Sequence, residues 1–297
     1  MNVLITGANG QVGAETGRCA WPTGWRIARL DRQALNITDE SALSDAADRL
    51  GLDLIVNLAA YTAVDCAESE PIQAFAVNRD GPANLAALCA RRRIPLFHVS
   101  TDYVFDGTKK GPYLEDDPLG PLGVYGASKE AGEAAIRRAL DRHLILRTAW
   151  VYGAHGGNFV KTMLRVGEER GSLRVVADQI GAPTWAADIA STLAYLAQAV
   201  LCGAERWGTY HYTGAGETSW AGFADAIFEL AAPMIGRRPA VIPISTADYP
   251  TAARRPANSR LDCGKIAREF GVVTRPWQEG LKRMLSELQT RAVPGTP

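Results

Sequence analysis

No two cysteines stand at the spacing of a metal knuckle or a redox pair. The five, Cys19, Cys66, Cys89, Cys202 and Cys263, are scattered along 297 residues, which argues against a disulfide framework and predicts reduced packing thiols in an intracellular protein. Charge of one sign is also lacking: 32 Lys and Arg face 32 Asp and Glu, so no nucleic-acid or membrane-surface partner is expected. Nor is there a long apolar run. The longest uncharged stretch, 189–204, is interrupted by Ser191, Thr192 and Gln198 and falls short of the ~18 apolar residues of a spanning helix. The opening MNVLITG shows no basic leader and no cleavage site, so a cytoplasmic location is the expectation. A neutral chain that binds an anion needs locally placed positive charge.

What is present is a rhythm. Short apolar runs at 2–6, 25–30, 52–58, 95–100 and 143–148 alternate with segments of helical spacing at 11–20, 40–50, 71–92 and 125–140. Repeated βα units of this length predict an α/β, doubly wound parallel sheet with helices on both faces. Beyond Trp150 the rhythm loosens. Helices are expected at 159–170, 187–201, 220–230, 263–270 and 277–288, strands at 173–176 and 209–213, and a frayed tail at 292–297. The expected organisation is a dinucleotide-binding domain over 1–150, rejoined by segments near 179–214, with a smaller lobe from 151–178 and 215–297. Ligands of open α/β sheets bind at the C-terminal edge of the strands, where such a lobe would cover them.

The turn after the first strand reads GANGQVG. Gly7, Gly10 and Gly13, with Gln11 and Val12 between, sit between a strand and a helix, where glycines let backbone approach a pyrophosphate. Asp31 closes the second strand, the place of a carboxylate that bonds a ribose 2′-hydroxyl. Arg29 and Arg32 beside it could equally hold a 2′-phosphate, so both NADH and NADPH remain open. The third strand ends in NLAAYTAVD, where Ala59 and Ala60 are small enough for a cofactor to pass; tight sheet packing is their other reading.

In VYGASK, Tyr125 and Lys129 are four apart and share one helix face. An ammonium near a phenol favours the phenolate and lowers a pKa that starts at about 10. The pair is a tuned proton donor or an exposed helix pair; spacing alone leaves both open.

Together GANGQVG, NLAAYTAVDCAESEP, STDYVFDG, VYGASKEAGE, LRTAWVYG, GAPTW and RPANSRLD resemble the extended short-chain dehydrogenase/reductase family over nearly the whole chain, and within it the dTDP-4-dehydrorhamnose reductase branch. The resemblance implies hydride transfer from NAD(P)H to C4 of a dTDP-4-dehydro-sugar, on a Rossmann sheet with a C-terminal substrate lobe. It implies Tyr125 as proton donor, Lys129 as its tuner and ribose ligand, and Thr101 as third member of the triad. Ala60, Tyr61 and Thr62 would join the cofactor contacts, and small Gly126, Ala127 and Ser128 would let the cofactor come close. Asp102, Tyr103 and Trp150 would line the sugar site, and Arg255, Asn258, Ser259 and Arg260, extended by Arg254, would meet the diphosphate or base. Asp65 and Glu68 match the family pattern and could equally be a solvated helix start. Some members dimerise through magnesium held by glutamates; Glu15 and Glu287 fall at two such places, but Ala187 replaces the third, with Asp188 one place on. No bound metal is therefore expected, and the chain is expected to be a monomer or weak homodimer. A different nucleotide-sugar ketoreductase or epimerase, and a non-catalytic dinucleotide-sensing subunit, are the rival readings.

Overall fold

The computed structural model describes residues 1–292. Five strands of the first half, β1 (Asn2–Thr6), β2 (Arg26–Leu30), β3 (Leu54–Asn57), β4 (Leu96–Thr101) and β5 (His143–Thr148), form one sheet with a sixth, Gly208–His211. The order runs Gly208–His211, β5, β4, β3, β1, β2, and every neighbouring pair is parallel. Successive residues of β1 and β3 enter opposite layers, which is why these strands read as unbroken apolar runs. Val3, Ile5, Leu54 and Val56 meet Ile189 and Leu193 of the helix Ala186–Leu201 on one face. Leu4 and Ile55 meet Leu43, Leu85 and Ile136 on the other. Strand order reverses between β1 and β3, and a crevice opens there at the strands' C-terminal ends.

Local signals set most element ends. Asp39 caps the helix Glu40–Leu50 by accepting from the Ala42 amide at 3.0 Å, and left-handed Gly51 ends it. The first helix is shorter than its spacing suggests, Gln11–Thr16, stopping at Gly17. The single helix expected over 71–92 is divided by a π-helical turn, Ala76–Asp80, between Pro71–Phe75 and Gly81–Arg92. Such widened turns re-aim one side chain; here it is Asn78, fully buried.

The smaller lobe pairs Ser172–Val176 with Ala240–Ile244 in parallel. Around that pair, Val160, Leu173, Phe223, Phe228 and Leu281 form a separate core from the helices Phe159–Glu169, Trp220–Ile235 and Trp277–Ala292. The strand Ala240–Ile244 escaped the sequence reading because Pro243 and a largely exposed edge hide it. Pro233 similarly masked the last turn of Trp220–Ile235. One segment moves between lobes. Gly264–Phe270, assigned with 215–297 to the smaller lobe, packs through Ile266 and Phe270 on the sheet's core, with Phe270 edge-on to Tyr210 at 5.3 Å. Of the tail expected to fray, Ala292 ends the last helix and 293–297 lie outside the described residues.

Candidate active site

A cleft of about 690 Å³ runs along the crevice from the glycine turn to the end of β5. At its floor Gly7 is required by conformation and contact, and Gly13 by contact. Gly7 has φ +67, and a Cβ there would sit 2.6 Å from the Ala59 amide nitrogen; one on Gly13 would sit 2.2 Å from the Gly7 carbonyl oxygen. Gly10, Gln11, Val12 and Gly13 line the cleft, as do Ala60, Tyr61 and Thr62 across from them. Amides of a first helical turn have no acceptor within the helix, so this wall offers backbone donors to an anion.

Asp31 lies at the rim, accepting from Asn9 Nδ2 at 2.6 Å and from the Gln33 and Ala34 amides at 3.0 and 2.9 Å. The two neighbouring arginines part company. Arg32 lines the cleft. Arg29 turns beneath the loop and donates to the Gly13 carbonyl at 2.9 Å, so the sequence-based expectation that it reaches a 2′-phosphate gives way to a loop-bracing role.

Thr101, Tyr125 and Lys129 reach the same cleft from β4 and from the helix Val124–Ala139. Glu68 holds that helix's first turn, accepting from the Val124 amide at 2.9 Å, which replaces the solvated reading of Glu68 with a positioning contact. Burial pushes the Tyr125 phenol up to about 12, against a hydrogen bond with Thr101 that acts the other way. The lowering that spacing predicts from Lys129 is not found. Lys129 Nζ donates to the Val99 carbonyl at 2.8 Å and lies 3.2 Å from His98 Nε2. Burial brings the Lys129 amine down to about 8, with buried Glu133 one turn on acting in the opposite sense.

The small residues between Tyr125 and Lys129 serve packing within the protein. A Cβ on Gly126 would meet the Tyr103 carbonyl oxygen at 2.1 Å. The Ser128 hydroxyl donates to the Tyr125 carbonyl at 2.8 Å and accepts from Asn78 Nδ2 at 3.0 Å. Asn78 also clamps Tyr61 through both its backbone amide and its carbonyl, at 2.8 and 3.0 Å. It thus ties the cofactor wall to the catalytic helix, and nothing in the linear pattern of AVNRDGP marks it.

Toward the smaller lobe, Asp102, Tyr103 and Trp150 also line the cleft. Asp102 is buried; desolvation raises its carboxyl to about 6, offset in part by the Ser259 and Thr101 hydroxyls. Its Oδ2 has no hydrogen-bond partner among the described residues. Tyr103 meets Tyr125 edge-on at 5.4 Å. Trp150 has φ +50 and stacks on Trp220 at 3.6 Å and 11°, so its ring closes the lobe junction as well as one end of the cleft.

Arg255, Asn258, Ser259 and Arg260 stand outside the lining of that cleft. Arg255 forms a two-pronged pair with Asp65, at 3.1 and 2.7 Å, while Asp65 also accepts from the Ala253 amide. Asp65 is therefore a tether across the molecule rather than a solvated helix start. Arg260 bonds Asn258 Oδ1 at 2.8 Å and Glu217 at 2.9 Å. Asn258 donates to the Lys109 and Gly111 carbonyls, both at 2.8 Å, so its amide is saturated by loop backbone. Ser259 is buried beside Asp102, and Arg254 is exposed.

A family model described as the RmlD substrate binding domain matches residues 1–290. The chain is 46% identical over 287 residues to a dTDP-4-dehydrorhamnose reductase of Sinorhizobium fredii, covering 96% of this chain and 97% of that relative. The chain belongs to the dTDP-4-dehydrorhamnose reductase family. Solved structures of the family overlay closely. That of a Clostridium acetobutylicum dTDP-4-dehydrorhamnose reductase gives a TM-score of 0.91 at 37% identity, covering 97% of this chain and all of that one. A Bacillus anthracis dTDP-4-dehydrorhamnose reductase in complex with NADP gives 0.89 at 38% identity, covering 96% and 99%.

For a dTDP-4-dehydrorhamnose reductase the remaining question is the magnesium that the resemblance attaches to Glu15 and Glu287. The structure adds His155, which the sequence reading did not single out: ligand atoms of Glu15, His155 and Glu287 lie within 4.8 Å of one another. Buried Glu15 Oε1 has no hydrogen-bond partner, and burial with nearby Glu287 raises its pKa. Two guanidiniums already occupy the cluster: Arg18 and Arg291 both pair with Glu287, the latter at 2.7 Å. Asp188 instead faces Arg283 at 3.9 Å. Magnesium requires a near-octahedral shell of oxygens, and an imidazole with two arginines does not fit it. Among the described residues no helix is long and apolar enough to cross a membrane.

Proposed function

We propose that this chain is an NAD(P)H-dependent reductase that delivers hydride to C4 of dTDP-4-dehydro-L-rhamnose, forming dTDP-L-rhamnose. The observation that carries the reading is the single cleft in which the glycine wall at one end and Thr101, Tyr125 and Lys129 at the other face the same space. When bound, the nicotinamide supplies the hydride; the chain supplies orientation and a proton.

Tyr125 Oη gives its proton to the C4 oxygen, and its high pKa keeps it protonated at neutral pH. Thr101 bonds the same oxygen, and Asp102, Tyr103 and Trp150 shape the sugar's end. Gly7, Gly10, Gln11, Val12 and Gly13 receive the pyrophosphate, with Asp31 at a ribose and Ala60, Tyr61 and Thr62 along the opposite wall. Arg255 and Arg260 are the cations for the sugar's diphosphate; each must exchange a carboxylate, Asp65 or Glu217, to reach it. Ser259 joins them at the sugar side, while Asn258 fixes the loop that carries them. The sheet domain of 1–150 with 179–214 thus handles the dinucleotide, and the lobe of 151–178 and 215–297, less Gly264–Phe270, handles the sugar. The substrate is a small diffusible molecule, and the reading is of a cytoplasmic monomer or weak homodimer without nucleic acid or magnesium.

Tyr125→Phe tests it. In an NADPH-oxidation assay with dTDP-4-dehydro-L-rhamnose, kcat should fall ~10² to 10⁴-fold while dinucleotide binding persists. An unchanged rate, or turnover of the wild-type protein only with UDP- or GDP-linked ketosugars, defeats the proposal.

A further inference from the structure

Thr6, Asn57 and His98, to which no role is assigned above, form with Lys129 a chain of buried polar groups. Thr6 at the end of β1, Asn57 at the end of β3, His98 within β4 and Lys129 are all almost fully buried. Asn57 Oδ1 receives the Thr6 hydroxyl at 2.6 Å and the Ala59 backbone amide at 3.2 Å. A backbone N–H can only donate, so this atom is the oxygen and the amide's orientation is fixed. Asn57 Nδ2 then faces His98 Nδ1 at 2.9 Å. Since Nδ2 can only donate, His98 Nδ1 must be the bare, accepting nitrogen. His98 is neutral, because full burial disfavours its charged form. Its one proton is therefore on Nε2, aimed at Lys129 Nζ 3.2 Å away.

An N–H aimed at Nζ meets a lone pair only if Lys129 is a neutral amine. An ammonium, which has no acceptor, would oppose it proton to proton. We propose that His98 is a positioning residue that favours the neutral amine of Lys129 in the cofactor-free protein, so that binding of the dinucleotide is coupled to proton uptake by Lys129. The proposal rests on the dinucleotide reading of the cleft. The driving force is charge: the dinucleotide brings a net negative charge into the cleft that Lys129 lines, though its pyrophosphate sits at the opposite end, and a nearby anionic ligand favours the ammonium.

Other charges around Lys129 are already engaged. On its own helix, Glu133 is paired with Arg147 from β5 at 2.7 Å and with Arg137 at 3.0 Å; Tyr125 is neutral. The adjoining turns contribute Asp102, beside Thr101 and Ser259, Arg79 and Asp80, paired with each other, and Asp65, paired with Arg255. His98 is the one partner of Nζ whose hydrogen-bonding sense depends on where its proton sits.

The sign of the pH dependence follows. If the bound state requires the ammonium, affinity for the dinucleotide falls by about tenfold per pH unit once the free amine is deprotonated, that is above about 8.

Two measurements decide the matter. Nitrogen-15 NMR of histidine-labelled, cofactor-free protein, with the His98 signal assigned among four histidines by its loss in His98→Gln, should show the Nε2–H tautomer; an Nδ1–H tautomer or a charged ring overturns the proposal. Calorimetry of NADPH binding at several pH values, in buffers of different ionisation enthalpy, should show proton uptake per site that grows toward one as pH rises and the free amine loses its proton. In His98→Gln the side-chain oxygen can accept from an ammonium, so uptake should vanish while binding survives. Uptake unchanged in the variant, or absent from the wild type, overturns the coupling. Failure of both NADPH and NADH to bind the wild type would overturn the dinucleotide reading itself and the coupling with it, whereas binding without uptake overturns the coupling alone.

Discussion

The glycine turn at Gly7–Gly13 and the arginine loop at Ala253–Arg260 both serve anions in the reading above, yet they are built in opposite ways. At the turn the donors are backbone amides, packed so closely that a Cβ on Gly13 or Gly7 would come within 2.2 or 2.6 Å of neighbouring backbone. In the loop the donors are long side chains that already hold carboxylates, Asp65 and Glu217. One site binds by fitting; the other must trade one anion for another. Backbone donors need no reorganisation, whereas an exchanged guanidinium yields only the difference between two pairings.

The sharpest way to break this contrast is Gly13→Val. Crowding against the Gly7 carbonyl should raise the dinucleotide Kd about 100-fold, the upper range of an overpacking cost of about 3 kcal/mol, as read by fluorescence titration. Arg255→Ala should be milder: about tenfold in KM for the dTDP-sugar, the low end for a lost charged hydrogen bond, with dinucleotide Kd unmoved. The finest test separates the neighbours Arg29 and Arg32. Removing Arg32, which faces the cleft, should weaken NADPH severalfold and spare NADH. Removing Arg29, which braces the Gly13 carbonyl, should weaken both by the same factor. A selective NADPH loss on removing Arg29 would reverse their assignment.

The same contrast explains what could be read from sequence. The parallel sheet was legible because β1 and β3 are buried on both faces and carry mostly apolar residues. The glycine turn was legible because the requirement is local, three glycines between a strand and a helix. The arginine loop was legible only as a cluster of charge: its partner Asp65 is 190 positions away, and no local pattern announces that pairing. Small residues after Tyr125 invited a cofactor explanation because the carbonyl that crowds Gly126, from Tyr103, comes from another element. His98 was the missed signal with a visible trace, a polar residue inside the apolar run PLFHVS. Pairs such as Asn78 with Tyr61 leave no trace, since the π-helical turn that aims Asn78 has no sequence period of its own.

The stacked indoles of Trp150 and Trp220 join the end of the sheet to the first residue of a helix in the smaller lobe. Any swing of one lobe against the other must part those rings. The protein thus carries its own optical gauge: exciton coupling between two chromophores in contact would fade as the jaws separate and return as they meet, giving ultraviolet circular dichroism a direct view of opening without an added label.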